Sequence, residues 1–430
     1  MAITGRVPLL VLLGLLPVLV RPEQSTVWWW VLGVLVATLL DAWAAPPPDA
    51  LELGRGPTGA VRLGEPTATR LSVANPTSRD YRVLLRDAWQ PTAGADGVRH
   101  RLRLTPGDRA VVSTRLVPRR RGDLRAVGVT LRTSGPLGLA ARQRTRVVPG
   151  AVRALPAFAS RRHLPSRLAL LRELDGRAAV RVRGQGTEFD SLREYVSGDD
   201  VRAIDWRATA RSRSVVVRTW QPERDRRVVL LLDTSRTSAG RVGDVPRLDS
   251  AMDAALLLAA LATRAGDRVD FVAGDREVRA RRRSAGSRRV VAELQDSMAD
   301  LEPIIAEADW AVLTGAVAAL GRQRALVVLL TPLEPSAIEE GLLPVLAALL
   351  RHHRVLLASV RDPALERLAS ARDSLDQAYG AAAAERALAR RRTCADMLGA
   401  LGVAVIDADA EALPPRLADH YLSLKARGLL

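Results

Sequence analysis

Three short runs of mostly apolar residues in the second half of the chain constrain its fold most strongly. They cover residues 228–232, 326–330 and 355–360. Each run is too short for a buried helix and has the length of a strand that is buried on both faces. Long helical patterns separate the runs, as expected for connections between parallel strands. The sequence therefore predicts an open, mostly parallel α/β sheet with helices on both faces.

Weaker patterns extend this prediction over residues 154–430, which we assign to one α/β domain. Two further strands are predicted at 268–272 and 403–406. The predicted helices are 248–262, 290–301, 311–320, 339–350 and 374–401, followed by a C-terminal helix.

The N-terminus contains two apolar runs, 7–20 and 27–40, separated by a polar segment. With flanking residues, each run approaches the roughly 20 residues that a membrane-spanning helix needs. Trp28 and Trp43 lie near the ends of the second run, where interfacial tryptophans are common. We predict a two-helix transmembrane hairpin over residues 1–45.

The arginines that follow residue 45 set the expected orientation of this hairpin. Arginine-rich segments stay on the cytoplasmic side of a membrane. We therefore expect a multi-pass protein of the plasma membrane whose large C-terminal part is cytoplasmic. The alternatives are a cleaved signal peptide that starts at Arg6, a single anchor, or a buried hairpin of a soluble protein.

Residues 46–153 contain short alternating segments separated by turn residues, and we predict a β-sandwich-like domain there. Within this region, residues 51–150 hold 19 arginines against 7 acidic residues. Such a basic excess indicates either nucleic acid or an anionic membrane surface as partner. The position directly after the apolar N-terminus favours lipid. The run 119–121 is either a contact with phosphates or headgroups, or a solvated turn.

The segment 184–211 alternates acidic residues and arginines with large apolar residues. We expect Tyr195 and Trp206, among others, to pin the segment to the domain, while its acids pair with Arg193, Arg202 and Arg207. Bidentate pairs of this kind would hold a partner-docking surface in a fixed geometry. The predicted docking residues are Glu188, Arg193, Tyr195, Asp199, Asp200, Arg202, Asp205 and Trp206.

Asp233, Ser235 and Thr237 follow the most apolar strand, at the edge of the sheet where ligands bind in folds of this class. A carboxylate and two hydroxyls at alternate positions are hard oxygen ligands that suit Mg²⁺ or Mn²⁺. The alternative is that these side chains cap the next helix or shape the loop.

The residues Gly184 to Arg211 resemble the defining motif of the domain-of-unknown-function 58 (DUF58) family. The Asp233 loop follows at the family's spacing, and the N-terminal hairpin, the sequence 135–139 and the tail 421–425 are also similar. The resemblance implies a bacterial membrane protein with a von Willebrand factor A-like (Rossmann-like) α/β domain. It also implies association with a MoxR-type AAA+ ATPase.

The same resemblance implies a metal-ion-dependent adhesion site, which needs a threonine and an aspartate from two later loops. This sequence departs from that pattern. No threonine matches near 306–309, and Pro332 stands where the aspartate is expected after the strand at 326–330. Glu334 or Asp309 would have to substitute, and a degenerate site that binds protein without metal is the alternative.

Three functions remain open at this point. The favoured one is a membrane-anchored scaffold or protein-interaction module, not an enzyme, that works with a MoxR-type ATPase in protein assembly or remodelling at the cell envelope. The chain has one lysine, Lys425, and no P-loop, so ATP hydrolysis by the chain itself is not expected. The alternatives are a basic nucleic-acid-binding protein and a metal-dependent hydrolase that uses Asp199, Asp200 or Asp233. Cys394 is the only cysteine, which excludes an intramolecular disulfide.

Overall fold

The computed structural model describes residues 2–181, 188–221, 226–283, 289–321 and 323–430. They form two compact units, Met1–Leu155 and Pro156–Leu430. The first unit combines apolar helices with β-sheets, and the second combines a mostly parallel sheet with helices. The chain is therefore a mixed α/β protein with several sheets, as its apolar patterns predict.

The apolar N-terminus forms three helices, α1 (Arg6–Leu13), α2 (Leu15–Val20) and α3 (Gln24–Ala44). Gly14 separates the first two at the point where the ring of Trp30 crosses them, and a Cβ at Gly14 would lie 2.3 Å from that ring. The indole Nε1 of Trp30 donates a hydrogen bond to the carbonyl of Leu10 at 3.0 Å. These contacts close the two apolar runs into a hairpin.

Only α3 is long and apolar enough to cross a membrane among the helices of the described residues. Its 21 residues correspond to about 31 Å, which matches a hydrocarbon core of about 30 Å. The first run, Arg6–Val20, is shorter than a span requires. The prediction of two membrane spans is therefore not supported, because the first run is short and is broken at Gly14.

Eleven strands follow the chain order through the described part of the first unit. They are β1 (Ala2–Ile3), β2 (Glu52–Arg55), β3 (Val61–Arg62), β4 (Thr67–Ala74), β5 (Tyr81–Trp89), β6 (Ala95–Asp96), β7 (Arg99–Leu104), β8 (Arg109–Leu116), β9 (Gly122–Ser134), β10 (Ala140–Arg146) and β11 (Ala151–Leu155). Strands β2, β4, β8 and β6 form one sheet, and the remaining strands form the other. Leu71 and Val112 of the first sheet share a core with Val83 and Leu131 of the second, so two sheets enclose one apolar layer.

A buried ion pair lies within this β-rich region. The guanidinium of Arg55 contacts the carboxylate of Asp87 at 2.6 Å and 3.1 Å, and the two side chains are 2% and 0% exposed. Asp87 also accepts hydrogen bonds from Trp89 Nε1 and Thr114 Oγ1. Full hydrogen bonding of the carboxylate offsets the cost of removing it from water.

The second unit is built on a sheet of six strands, β14 (Arg227–Asp233), β17 (Arg268–Gly274), β18 (Val278–Arg282), β19 (Leu326–Leu330), β20 (Arg354–Val360) and β21 (Ala404–Ala408). Their order is β18-β17-β14-β19-β20-β21, and every pair is parallel except β17 with β18. Four smaller strands lie outside it: β12 (Glu188–Glu194), β13 (Val216–Gln221), β15 (Arg241–Val242) and β16 (Val245–Pro246).

Helices cover both faces of this sheet. The described helices of the unit are α4 (Leu164–Arg181), α5 (Trp206–Thr209), α6 (Arg247–Arg264), α7 (Val290–Ala299), α8 (Trp310–Ala318), α9 (Pro335–Ala337), α10 (Leu343–Leu350), α11 (Ala364–Ser370), α12 (Leu375–Ala400) and α13 (Leu413–Ala426). Helices α6, α7 and α13 share a core with Leu230, and α8, α10 and α12 share another with Leu231. Alternate residues of one strand thus face opposite helical layers, which explains the continuous apolar run.

Candidate functional site

The carboxyl ends of β14 and β19 meet where the strand order of the sheet reverses. From β14 the chain continues to β17 and β18 on one side, and it then crosses to β19, β20 and β21 on the other. Ligands of open α/β sheets bind at such a reversal, because the connections on its two sides diverge and leave a crevice. Asp233 ends β14 at this point, and Thr331 follows directly after β19.

Asp233 collects three side chains and one backbone amide around its carboxylate. Its Oδ1 accepts the backbone N–H of Ser235 at 2.7 Å. Its Oδ2 accepts the hydroxyls of Thr237 at 3.1 Å and of Thr331 at 2.7 Å. The Oγ atoms of Ser235 and Thr237 lie 3.1 Å apart. The structure thus brings the three predicted residues together and adds Thr331, which was not predicted from the sequence.

The electrostatics of this cluster are dominated by burial. Asp233 is 1% exposed, and this desolvation raises the pKa of its carboxyl, although the hydrogen bonds from Ser235, Thr331 and Thr237 oppose the shift. A buried carboxylate with hydroxyl neighbours is stabilised by any cation that replaces the lost water. The donors are all hard oxygens, so their chemistry fits Mg²⁺ or Mn²⁺.

Asp309 and Glu334, one of which would have to complete a metal site, have other partners. Asp309 accepts the amides of Ala311 and Val312 and caps α8. Glu334 contacts Arg247 Nη1 at 3.4 Å, and Arg391 Nη1 lies 4.0 Å away. Among the described residues, the hydrogen-bond partners of Asp233 are Ser235, Thr237 and Thr331, and neither acid shares one of them. Over the same residues, no group of three His, Cys, Asp or Glu side chains has the geometry of a metal site.

Asp275, at the end of β17, forms a second buried carboxylate beside the first. Its Oδ2 accepts hydrogen bonds from Thr234 Oγ1 at 2.7 Å and from Arg279 Nε at 3.1 Å. Burial raises the pKa of Asp275, but these donors more than offset it, and the pKa of Asp275 is lowered. Thr234 therefore ties the Asp233 loop to the neighbouring strand.

The predicted docking segment contributes β12, which pairs antiparallel with β13, and then continues through a 3₁₀ turn (Val201–Ala203) into α5. The start of the motif, 184–187, and the side chain of Glu188 lie outside the described residues. Arg193 Nη2 contacts Asp199 Oδ1 at 2.6 Å, as predicted, and this pair lowers the pKa of Asp199. Tyr195 is half-buried and pairs through its backbone with Val215.

The other acids of the segment differ from the prediction. Asp205 pairs with Arg218 on β13 at 2.7 Å and accepts the amides of Arg207 and Ala208, which lower the pKa of Asp205. Asp200 accepts the amide of Arg202 and caps a short 3₁₀ turn. The ion pairs formed among the described residues do not include Arg202 or Arg207. Within the described residues, the prediction that Arg202 and Arg207 pair with the acids is wrong, because Asp199 pairs with Arg193 and Asp205 pairs with Arg218.

Large apolar side chains of the predicted docking segment face solvent. Four residues of this segment are between 46% and 69% exposed: Leu192, Val196, Val201 and Trp206. The prediction that Trp206 pins the segment to the domain is therefore wrong. Exposed apolar residues concentrated in one short segment are typical of a protein interface.

Among the described residues, no hydrogen bond joins a histidine to Asp199, Asp200 or Asp233, the acids that a hydrolase would use. His353 and His420 line one cavity, together with Leu326 and Ala404, which start β19 and β21. This is the amino edge of the parallel strands, opposite to the edge that carries Asp233. The run 119–121 lies in the turn between β8 and β9.

Residues 191–375 match the family described as "Protein of unknown function DUF58". This part of the chain is a DUF58 family domain. The match covers residues 191–211 of the motif 184–211 and the sheet strands β14, β17, β18, β19 and β20, and it includes the Asp233 cluster. No curated protein matches the sequence.

Several solved structures resemble about a quarter of the chain at low sequence identity. A PapD-like domain of human CEP192 shows 15% identity and a TM-score of 0.21, covering 26% of this chain and 89% of its own. The complex of zinc 2-glycoprotein and prolactin inducible protein from human seminal plasma shows 11% identity and a TM-score of 0.19, covering 24% and 92%. A CARDB domain from Pyrococcus furiosus, in complex with di-metal ions, shows 12% identity and a TM-score of 0.17, covering 24% and 87%. Likenesses this low carry no argument about the DUF58 domain.

Proposed function

We propose that this chain is a membrane-anchored scaffold or protein-interaction module and that its DUF58 domain docks a protein partner. The observation that carries the proposal is the exposure of Trp206, the first residue of α5, together with Leu192, Val196 and Val201 in the same short segment, in which Asp199 and Asp205 form ion pairs. An exposed tryptophan is a typical anchor of a protein interface, because it buries a large area at little cost in side-chain entropy.

The partner that we propose is a MoxR-type AAA+ ATPase, acting with this chain in protein assembly or remodelling at the cell envelope. The resemblance of the motif 184–211 to the DUF58 family supports this choice. Helix α3 supports attachment to the plasma membrane. The arginines of residues 51–150 support a cytoplasmic position for the C-terminal part, since they favour the side of anionic headgroups.

The fold of the second unit is proposed to be von Willebrand factor A-like. Its strand order, the position of Asp233 at the reversal and the hydroxyls of Ser235, Thr237 and Thr331 support this assignment. If Mg²⁺ or Mn²⁺ binds, these four side chains would hold it. The ion would supply a positive charge that attracts a carboxylate of the partner.

A crosslinked pull-down from native membranes tests the proposal. Wild type, Trp206→Ala and Asp233→Ala are compared, each in Mg²⁺ and in chelator. Tyr379→Ala is the matched control, because Tyr379 is an equally exposed aromatic on α12, outside the predicted docking segment. We expect the ATPase with wild type and the control, and its loss with Trp206→Ala.

Two results would count against parts of this proposal separately. If no ATPase or other specific partner is recovered from intact membranes, the scaffold function is wrong. If the ATPase is recovered equally in chelator and with Asp233→Ala, docking survives but does not use a metal at Asp233.

A further inference from the structure

A cavity of about 470 Å³ opens in the second unit at the amino ends of β19, β20 and β21. It lies within the size range of small-molecule sites in proteins. Among the described residues, its charged and imidazole lining consists of Arg324, Arg354, Arg427, His353 and His420 and includes no acidic side chain. A concave surface with three arginines and no carboxylate attracts anions.

The three arginines are not neutralised by the protein around them. Among the described residues, no carboxylate forms an ion pair with Arg324, Arg354 or Arg427. The nearby Arg227 differs in this respect, because it pairs with Asp270 at 2.5 Å. The positive charge of the cavity is therefore available to a ligand.

The C-terminal ends of three helices weaken the positive potential of the cavity but do not cancel it. Leu350, Leu401 and Arg427, at the C-terminal ends of α10, α12 and α13, all line the cavity. Each C-terminus contributes at most about half a negative charge. Together they offset about half of the charge of three arginines, so a net positive potential remains.

The two histidines add hydrogen-bonding capacity. Burial, helped by neighbouring positive charges, lowers the pKa of His353 and of His420, so both are neutral at pH 7 and the arginines carry the charge. Nδ1 of His353 is buried and has no hydrogen-bond partner among the described residues. A ligand with polar atoms is able to satisfy it.

The rest of the lining is apolar and includes Leu326, Leu350, Val355, Leu401 and Leu424. An inorganic anion would leave this surface in contact with water. A ligand that joins an anionic head to an apolar body would use both parts of the cavity.

We propose that this cavity binds a small amphipathic organic anion, with a phosphate or similar head on the arginines and an apolar body against the leucines. Such a head occurs both in soluble phosphate monoesters and in lipid headgroups. The site is independent of the predicted docking segment and of Asp233, so its test does not depend on the scaffold proposal.

Calorimetric titration of the full chain in phosphatidylcholine nanodiscs tests the site. Hexyl phosphate at pH 8 is the probe, with inorganic phosphate as the head alone and hexanol as the body alone. We expect hexyl phosphate to bind more tightly than either. Arg354→Gln and Arg427→Gln should each weaken its binding about tenfold or more, because each removes a charged hydrogen-bond donor.

Matched variants separate the site from general charge effects. Arg416→Gln removes an exposed arginine of α13 that does not line the cavity, and it should bind hexyl phosphate like wild type. Leu401→Ala should weaken hexyl phosphate about fivefold and leave inorganic phosphate unchanged. The unfolding temperature of each variant is measured, so that the two arginine variants are compared only as folded proteins.

Absence of hexyl phosphate binding to wild type, or equal binding by wild type, Arg354→Gln and Arg427→Gln, would overturn the proposal. The same titration in nanodiscs that contain phosphatidic acid distinguishes a lipid headgroup from a soluble phosphate monoester as the ligand. Loss of hexyl phosphate binding there supports the site with a lipid headgroup as ligand. Unchanged binding there supports the site with a soluble ligand.

Discussion

Thr331 donates a hydrogen bond to Asp233, with 2.7 Å between Oγ1 and Oδ2. The two residues are far apart in the sequence and meet because β14 and β19 are adjacent parallel strands that end at the same edge of the sheet. Thr331 is buried, and so are Asp233, Ser235 and Thr237. The cluster is therefore a defined arrangement of oxygens around one desolvated carboxyl group, which makes its response to metal and to pH predictable.

Asp233→Asn should abolish stabilisation by Mg²⁺. A ligand that binds only the folded state stabilises it by about 2.7 kcal/mol at roughly a hundred times its Kd. The expected result is a Mg²⁺-dependent rise of the unfolding temperature for wild type and none for Asp233→Asn. Thermal unfolding in Mg²⁺ and in chelator measures it. Asp244→Asn, at an exposed position nearby, is the control and should behave like wild type. An equal rise for all three proteins would refute metal binding at Asp233.

Without metal, the same carboxyl should make stability depend on pH. Burial raises the pKa of Asp233 in the folded state above the unfolded value of about 3.9. The folded state therefore binds more protons between these two pKa values, so stability falls as pH rises through this window. In chelator, wild type should gain stability relative to Asp233→Asn as pH falls from neutral towards 4. Urea unfolding at several pH values measures the difference, and a constant difference would contradict the raised pKa.

Removing one partner of the buried pair Arg55–Asp87 should destabilise the first unit strongly. Asp87→Ala leaves a buried guanidinium without its counter-charge, which costs about 3–5 kcal/mol. Asp123→Ala removes the partner of Arg153 in a partly exposed pair and should cost at most about 1 kcal/mol. Guanidinium unfolding followed by tryptophan fluorescence compares the two. Similar losses would show that the buried pair has no special role.

Asp41 should hold the end of α3 against the β9–β10 turn. Its carboxylate accepts the amides of Leu137, Leu139 and Ala140 at 2.7–2.9 Å, and a Cβ at Gly135 would lie 2.4 Å from it. Asp41→Ala leaves these amides without an acceptor, and hydrogen exchange at them should accelerate about tenfold or more.

Asp49→Ala is the control for this measurement. Asp49 is an exposed acid that follows α3 and pairs with Arg144 at 3.4 Å. Asp49→Ala should leave hydrogen exchange at the amides of Leu137, Leu139 and Ala140 unchanged. Equal exchange in wild type and Asp41→Ala would show that the turn keeps its structure without the carboxylate.

Trp206→Ala should leave the stability of the protein nearly unchanged. The indole is 69% exposed, and substitutions at such positions usually change the free energy of unfolding by less than about 0.5 kcal/mol. Urea unfolding measures this change, which is needed to interpret the pull-down. A loss of more than about 2 kcal/mol, roughly four times the usual range, would mean that Trp206 is structural.

The continuous apolar runs determined the α/β character and the central strands. The predicted strands 228–232, 326–330 and 355–360 lie within β14, β19 and β20. Such a run is readable because both faces of the strand are buried, so every side chain must be apolar. The long strand β9 escaped prediction, since arginine and glycine interrupt its alternation.

Local spacing also determined the members of the Asp233 loop, because residues two apart on a loop after a strand remain neighbours. The sequence by itself could not decide which distant side chains join them. Thr331 reaches Asp233, Asp205 reaches Arg218, and His353 shares a cavity with His420 only because strand order and helix packing set long-range distances. Burial, which raises the pKa of Asp233 and leaves Trp206 exposed, is likewise a property of the tertiary structure, since it depends on what the rest of the chain places over each residue.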